Sequence, residues 1–380
     1  MSVRESMPFW KDMKKRYDRS SGISDFLSEE AAYVGGVYTR GFDDGRAFSQ
    51  FMRSAEDGNA DAQFEVGYMY ESGRGVEQSC DDAVKWYRKA AEQGHEKALA
   101  ALTALAEQGN LRAQYALGRM HLEGEGVPRS EAEAARWFGT AAMRGQKKSF
   151  EQLVRMADGG SPDAMFRIGE IYLKGEGAER SYADAVRYFG MAAEGGNADA
   201  AYDLAVLYAE GLGVEQSYAK AAELYWKAAF KGRPIALHNL AILYYEGLGV
   251  EKSYRKAAEL YEKAVSLGDD SSAYNLALMY YEGTGVEQSF PRALELFGKA
   301  AAYGDGMAMY NMGMMYELGL GTDVSYERAR DLYKAAMGNG ERERAEKAYR
   351  RLLMEHPSLL EFRFLNSPGA RASGSCWNAM

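Results

Sequence analysis

A short glycine-marked stretch returns along this chain at a regular interval. Glu210-Gly-Leu-Gly-Val214 recurs as Glu246-Gly-Leu-Gly-Val250 and as Glu282-Gly-Thr-Gly-Val286. With looser copies included, successive loops lie 36 residues apart in the later part of the chain and 51 apart in the first two intervals. A fixed period of this length predicts stacked structural repeats. The loop glycines, which we predict to be structural, are Gly73, Gly75, Gly124, Gly126, Gly175, Gly177, Gly211, Gly213, Gly247, Gly249, Gly283, Gly285, Gly319 and Gly321.

Each repeat is predicted to contain two helices. Between residues 235 and 268, apolar side chains fall twice at helical spacing, first at Leu237, Leu240, Ala241 and Tyr244, then at Ala257, Leu260, Tyr261 and Ala264. Gly247 is expected to end the first helix with a positive φ, and Ser253 to cap the second. The recurrence of alanine at the Ala257 and Ala264 positions indicates close helix approach, where a longer side chain would overpack.

The full pattern resembles a known repeat. It runs Ala-x-x-x-Leu-Gly/Ala-x-x-Tyr-x-x-Gly-x-Gly-Val, then Ala-x-x-x-Tyr-x-x-Ala-Ala-x-x-Gly, over roughly residues 59–340 in seven copies. This is similar to the Sel1-like repeat, a relative of the tetratricopeptide repeat with a longer glycine-marked loop. The resemblance implies an all-α, right-handed superhelical α-solenoid of stacked helix pairs. It also implies a scaffold or adaptor in protein–protein interaction.

The repeats suggest a division of the whole chain. We expect an N-terminal arm at 1–30, a degenerate repeat at 31–58, seven repeats at 59–340, a capping helix at 341–366 and a disordered tail at 367–380. The two 51-residue intervals carry extra segments near 96–109 and 147–160. Each extra segment is predicted to form a lone helix, without a partner of its own, that disturbs the regular stacking.

Composition narrows the class of partner and compartment. A formal net charge of −9 argues against general affinity for nucleic acid, and no apolar run is long enough to predict a membrane span. Cys80 and Cys376 are too few and too distant for a disulfide framework, which favours a reducing compartment. We therefore expect a cytoplasmic protein. Export is the alternative, if a signal was removed before numbering.

The sequence contains no catalytic or metal-binding constellation that we would propose. Its four histidines lack partners at metal-ligand spacing. The Gly-x-Gly loops have neither the preceding strand nor the following lysine of a phosphate-binding loop. We therefore predict no enzymatic activity, no cofactor and no metal, and a protein or peptide as the partner.

Comparison of the seven copies separates fixed from variable positions. One first-helix column is aromatic nearly throughout, which predicts packing between repeats; it contains Phe64, Tyr115, Phe166, Tyr202, His238, Tyr274 and Tyr310. The columns four and seven residues later vary, from charged in the first half to apolar and aromatic in the second. By resemblance to tetratricopeptide arrays they face the concave side, so the predicted partner-binding residues are Ile242, Tyr245, Leu278, Tyr281 and Met314.

Three other interpretations of the same residues stay open. Ile242 and Leu278 could simply pack on the adjacent repeat. The chain could be a self-assembling structural protein, or it could be the regulatory subunit of an enzyme complex.

Overall fold

A computed structural model describes residues 44–359, and this range is helical without strands. The helices are α1 Asp44–Glu56, α2 Ala60–Ser72, α3 Cys80–Glu92, α4 Glu96–Glu107, α5 Leu111–Glu123, α6 Glu131–Met143, α7 Lys147–Asp158, α8 Pro162–Lys174, α9 Tyr182–Glu194, α10 Ala198–Glu210, α11 Tyr218–Phe230, α12 Ile235–Glu246, α13 Tyr254–Ser266, α14 Ser271–Glu282, α15 Phe290–Ala302, α16 Gly306–Leu318, α17 Tyr326–Gly338 and α18 Arg342–Glu355, followed by a 3-10 turn at Pro357–Leu359. The predicted arm at 1–30 and tail at 367–380 lie outside the described residues, as do residues 31–43 and 360–366.

Within each unit, neighbouring helices pack on one another and the helix pairs stack. The most extensive contacts join the two helices of one repeat, as in α10 with α11 and α12 with α13, and α11 in turn packs on α12 of the next repeat. This arrangement confirms the predicted all-α solenoid of stacked helix pairs. The chain forms two compact units: the first runs to Ile171 and includes Gly175–Glu179, and the second comprises Tyr172–Lys174 and continues from Arg180.

The two glycines of each loop have different structural roles. The first glycine ends the first helix in the left-handed region, as at Gly283 with φ +76°. The second lies against the preceding repeat. A Cβ on Gly285 would be 2.4 Å from the carbonyl carbon of Tyr254, so no larger residue fits without a shift of backbone. The loop glycine therefore joins neighbouring repeats as well as turning the chain.

The rest of the loop is held by hydrogen bonds that local sequence rules predict. Ser253 caps α13 by accepting from the backbone N–H of Lys256 at 3.3 Å. Its own N–H donates to the carbonyl of Tyr244 at 2.8 Å. In the next repeat, Gln288 Nε2 donates to the carbonyl of Tyr281 at 2.8 Å. The otherwise unpaired carbonyls at the end of the first helix are thus satisfied inside the repeat.

The extra helix of the first 51-residue interval is not a lone helix. Helix α4 packs against both α3 and α5, and its Ala98, Leu102 and Ala106 are fully buried. His95 caps it, accepting at Nδ1 from the N–H of Ala98 at 3.0 Å, while the imidazole stacks on Phe64. Helix α7 likewise packs on α6. Both extra helices form where they were predicted, but the prediction that they lack a partner was wrong, because α4 packs on the helices on either side of it and α7 packs on α6.

The core of each repeat is an aromatic ring of the second helix set against small residues. Ala257 and Ala264 are fully buried, as predicted for close helix approach. Tyr333 on α17 is also fully buried, and its ring lies directly over Gly313 of α16. The close approach of the two helices leaves no room for a Cβ at that glycine.

The last described repeat is covered by α18. Ala345, Ala348 and Leu352 are buried, and Leu352 belongs to the cluster that contains Tyr333. The imidazole of His356 stacks on Tyr326 with ring centroids 3.7 Å apart. Tyr326 begins the second helix at the repeat position of Tyr254, against which the next repeat packs Gly285.

Candidate partner-binding face

The first helices of the last three repeats each present one mixed stripe of side chains. On α12 the stripe contains Asn239, Ile242, Tyr245 and Glu246, which fall within about 120° of the helix circumference. The equivalent positions one and two repeats further on hold Asn275, Leu278, Tyr281 and Glu282 on α14, and Asn311, Met314, Glu317 and Leu318 on α16. We call this surface the first-helix face. All of it belongs to the second unit.

The five predicted binding residues lie on this face and differ in exposure. Ile242 is 37% exposed, whereas Leu278 is half-buried. Met314 is also half-buried and packs against the cluster of Tyr333 and Leu352. Met314 therefore contributes to packing at the capped end as well as to the face.

Tyr245 and Tyr281 are supported by aromatic neighbours in their own repeats. Tyr245 contacts Tyr254 edge-on with ring centroids 4.9 Å apart, and Tyr281 contacts Phe290 in the same way at 5.4 Å. Burial raises the pKa of Tyr245, so its hydroxyl stays a hydrogen-bond donor at neutral pH. Both side chains are half-buried, which leaves part of each ring accessible on the first-helix face.

In other repeats, charged residues at the equivalent positions form hydrogen bonds or ion pairs with side chains of this protein. Tyr87 donates to Glu71 at 2.5 Å in the first unit, and Arg167 pairs with Glu170 at 2.5 Å. Near the capped end, Tyr333 donates to Glu317 at 2.6 Å. The carboxylates satisfy hydroxyls of second-helix tyrosines, which would otherwise be buried without a partner. The charged columns of the first half are therefore largely paired within the protein.

The aromatic column packs chiefly within its own repeat. Tyr202 contacts Tyr225 with centroids 5.7 Å apart, and Tyr274 contacts Phe297 at 5.7 Å. Polar atoms of the column also reach the next repeat, as where His238 Nδ1 lies 3.0 Å from Ser272 Oγ. Tyr202 OH accepts from Asn239 Nδ2 of the following repeat at 3.2 Å.

An asparagine column on the first-helix face was missed by the sequence analysis. Asn239, Asn275 and Asn311 recur at the 36-residue period and are half-buried. Asn311 Nδ2 donates to Tyr274 OH at 3.4 Å, and Asn275 Nδ2 to Tyr261 OH at 3.4 Å. The recurrence of asparagine was itself a sequence signal, but the comparison of repeats looked for variable apolar columns and missed it.

One buried polar cluster contains His, Ser and Asp, the residue types of a nucleophilic triad. Ser272 Oγ lies 3.0 Å from His238 Nδ1 and donates to Asp269 Oδ2 at 2.6 Å. A nucleophilic triad needs the histidine between the serine and the carboxylate, and here the serine lies between the other two. Ser272 is also fully buried. Burial lowers the pKa of His238. The cluster is therefore a packing feature.

Two further properties of the described range bear on function. Between residues 44 and 359, no three His, Cys, Asp or Glu side chains are grouped so that they could hold a metal ion. In the same range, none of the helices combines the length and apolar character needed to cross a membrane.

Stacked helix pairs joined by glycine loops, with a continuous first-helix face, define an α-solenoid repeat protein. The Sel1 repeat matches the chain seven times, at residues 60–95, 111–146, 162–197, 198–232, 234–269, 270–305 and 306–338. These matches cover more than half of the chain. The protein belongs to the Sel1 repeat family, as the glycine pattern predicted. Sel1 and related repeats typically mediate protein–protein interaction, and the family is generally non-catalytic.

Solved structures of similar proteins share the fold. A Sel1 repeat protein from Oxalobacter formigenes is 26% identical, with a TM-score of 0.54 and 92% of both chains covered. A protective antigen present in uropathogenic Escherichia coli strains is 30% identical, with a TM-score of 0.52, covering 81% of this chain and 64% of the antigen.

Two longer proteins are similar over part of the chain. DAP3-binding cell death enhancer 1 of Rattus norvegicus is 35% identical over 81 residues, which is 21% of this chain and 16% of that protein. A chitin synthase regulator of Malassezia restricta is 29% identical over 143 residues, 31% of this chain and 10% of the regulator. The similarity therefore spans only a small fraction of either relative.

Proposed function

We propose that this protein is a non-enzymatic scaffold whose first-helix face, in the last three repeats, binds an extended segment of a partner protein. One observation carries the proposal: Tyr245 and Tyr281 recur one repeat apart, each half-buried beside an apolar residue and supported by a second aromatic ring. Tyrosines offer a large contact area with a polar tip and are enriched among interface hot spots. Support by a neighbouring ring reduces the entropy lost when a partner binds.

The spacing of the repeats suits an extended chain. Asn239 of α12 donates to the hydroxyl of Tyr202 of α10, so side chains of successive first helices touch. We take for these helices the spacing of about 8–10 Å that is typical of packed helices. An extended chain advances about 3.3 Å per residue, so roughly three residues would separate contacts with adjacent repeats.

The relatives are consistent with a role in binding and regulation. One is named as a regulator of chitin synthase and another as a DAP3-binding protein. By analogy, this chain would hold a partner in a complex, and that partner could be an enzyme. The analogy names a type of role and leaves the partner to be found by experiment.

A second candidate function, self-assembly, is favoured by a different surface. Trp226 and Phe230 lie one turn apart on α11 and are 54% and 83% exposed. Light scattering over a range of protein concentrations separates the two functions. A mass that rises with concentration, and falls again in Trp226→Ala, would support self-assembly.

Partner capture by the double variant Tyr245→Ala, Tyr281→Ala tests the proposed function. Native lysate of the source organism is passed over immobilised wild-type protein and over the variant, and bound proteins are quantified by mass spectrometry. If both tyrosines are hot spots, the variant loses about 2 kcal/mol or more, on the order of 30-fold in affinity. Trp226→Ala, which removes an exposed aromatic from a second helix, is the matched control. Undiminished capture of every partner by a variant with wild-type helix content would contradict the proposal.

A further inference from the structure

We infer that the partner segment is basic and extended, with a lysine or arginine at about every third residue. This inference rests on the proposed function and specifies the chemistry of the occupant. It comes from two features, a column of carboxylates without ion pairs in the described range and a column of oriented asparagine amides, together with the spacing typical of packed helices.

The carboxylate column consists of Glu246 and Glu282 on the first-helix face and of Glu210 one repeat before it. These residues end α10, α12 and α14, and all three are exposed. No lysine or arginine forms an ion pair with any of them in the part of the chain that the structure describes; the hydroxyl of Thr284 donates to Glu282 at 3.3 Å. A negative charge at the C-terminus of a helix is unfavourable. These carboxylates therefore lie at helix C-termini without an ion pair among the described residues, and a hydrogen bond to Tyr254 and the charge of Glu246 raise the pKa of Lys252 nearby.

These carboxylates lie beside the proposed hot spots. Burial raises the pKa of Tyr245, the negative charges of Glu282 and Glu246 raise it further, and the positive charge of Lys252 lowers it. Glu246 adjoins Tyr245 in α12, and Lys252 Nζ lies 4.9 Å from the centre of the Tyr254 ring that Tyr245 contacts. This part of the face thus already holds one cation of the protein beside an aromatic ring, and a cation of the partner would lie next to the same rings, which attract cations through their π-faces.

The asparagine column supplies groups that fit a peptide backbone. On α12, Asn239, Ile242 and Glu246 are spaced i, i+3 and i+7, so the amide, the apolar contact and the carboxylate share one stripe. Each asparagine donates one Nδ2 hydrogen to a tyrosine hydroxyl, which fixes the amide plane. The Oδ1 atoms make no hydrogen bond within residues 44–359 and can accept from backbone N–H groups of a bound segment.

Backbone pairing selects an extended occupant over a helical one. The N–H and C=O groups in the body of a helix are already paired internally. A polyproline II segment has three residues per turn and advances about 9.3 Å per turn, which matches the spacing of about 8–10 Å between packed helices. Every third side chain would therefore meet the next carboxylate of the column.

The column ends in an apolar residue. In the last repeat the equivalent position is Leu318, which is 62% exposed. The fitting segment therefore has three basic residues at intervals of three, with an apolar residue at one further interval. The bound chain can run in either direction, so the apolar residue belongs at either end of the series.

Direct binding of synthetic peptides tests the inference. Each fluorescently labelled peptide carries three lysines, at every third of nine positions. In one peptide a leucine lies three residues beyond the last lysine, and in the other it lies three residues before the first. Control peptides have the same composition with the lysines adjacent, or glutamine in place of lysine. Fluorescence anisotropy at 50 and 300 mM salt reports the affinity. We expect one period-three peptide to bind on the order of tenfold more tightly than both controls, and to weaken with salt.

Variants of the protein assign the effect to the named residues. Glu246→Gln and Glu282→Gln, made separately, should each lower the affinity of that peptide about threefold, and Asn275→Ala should lower it without changing its salt dependence. Glu223→Gln, an exposed carboxylate of the second helix α11, is the matched control for net charge.

Three outcomes would overturn the inference: equal binding of the glutamine peptide, no preference for the period of three, or an equal loss in Glu223→Gln. The double variant Tyr245→Ala, Tyr281→Ala separates this failure from failure of the proposed function. If that variant loses native partners while the carboxylate variants keep them, the face binds a segment but not a basic one.

Discussion

At the scale of single residues, the size of one first-helix side chain decides how closely two helices of a repeat pack. In the repeats of α10, α12 and α14 this position holds Ala205, Ala241 and Ala277, all fully buried. At Gly313 a Cβ would lie 2.6 Å from the ring of Tyr333, which is itself fixed by its hydrogen bond to Glu317. Whether alanine is tolerated in these helices therefore depends on the ring opposite, and not on helix propensity.

Two glycine-to-alanine substitutions separate packing from propensity. Apart from its chain neighbours and the backbone of the adjoining helical turns, no atom of the described residues lies within 4 Å of the position that a Cβ would occupy on Gly190, so Gly190→Ala should raise the free energy of unfolding by about 0.5–1 kcal/mol. Gly313→Ala should instead lower it by about 1–3 kcal/mol through overpacking. Chemical denaturation of both variants checks the prediction, and a stabilised Gly313→Ala would contradict the packing account.

The buried histidine should make the second unit sensitive to acid. Burial lowers the pKa of His238 in the folded protein. As pH falls through about 6.5, the unfolded chain takes up a proton that the folded protein resists, so stability present above that pH is lost below it. The variant His238→Tyr with Ser272→Ala restores the residue types of Tyr202 and Ala236 in the preceding repeat.

The double variant should lose less thermal stability than wild type between pH 7.5 and 5. The new tyrosine hydroxyl can accept from Asn275, as Tyr202 accepts from Asn239. Thermal midpoints at both pH values give the comparison. An equal fall in the two proteins would show that His238 is not responsible.

At the scale of helices and loops, the glycine loop connects repeats that are distant in sequence. Local rules suffice to predict its turn and its serine cap, since positive φ and side-chain capping depend on a few adjacent residues. They do not predict that Gly285 touches Tyr254, or that Asn239 donates to Tyr202, because those contacts exist only once pairs stack in register. The asparagine column was missed for this reason.

A second glycine pair tests the loop as an inter-repeat contact. Gly268 and Gly285 have φ of +86° and +76°, so alanine is strained at either position, by about 1–2 kcal/mol. No atom approaches a Cβ at Gly268, whereas a Cβ at Gly285 meets the Tyr254 backbone. Gly285→Ala should therefore destabilise by about 1–3 kcal/mol more than Gly268→Ala in denaturant unfolding. Equal losses would mean that the loop acts only as a turn.

At the scale of the whole molecule, each unit is a series of near-identical interfaces with local departures. The period of the glycine loops was enough to predict the solenoid, because repeated pairs have only neighbouring pairs to pack against. The surplus residues of a 51-residue interval also indicated the extra helix α4, but they did not predict that its cap His95 stacks on Phe64. The period also could not predict that His356 stacks on Tyr326, because at this end of the stack α18 and the turn after it take the place of a further repeat.

The most direct test of the central claim is site-specific photo-crosslinking from the first-helix face. A photoreactive phenylalanine analogue is placed at Ile242 or Leu278, and, as the control, at Phe230 on α11. Irradiation in native lysate followed by peptide mapping identifies the attached partner residues. The account predicts that Ile242 and Leu278 crosslink to one partner segment, at positions roughly three residues apart, and that Phe230 does not. Crosslinks to that partner from Phe230 alone, with none from Ile242 or Leu278, would contradict it.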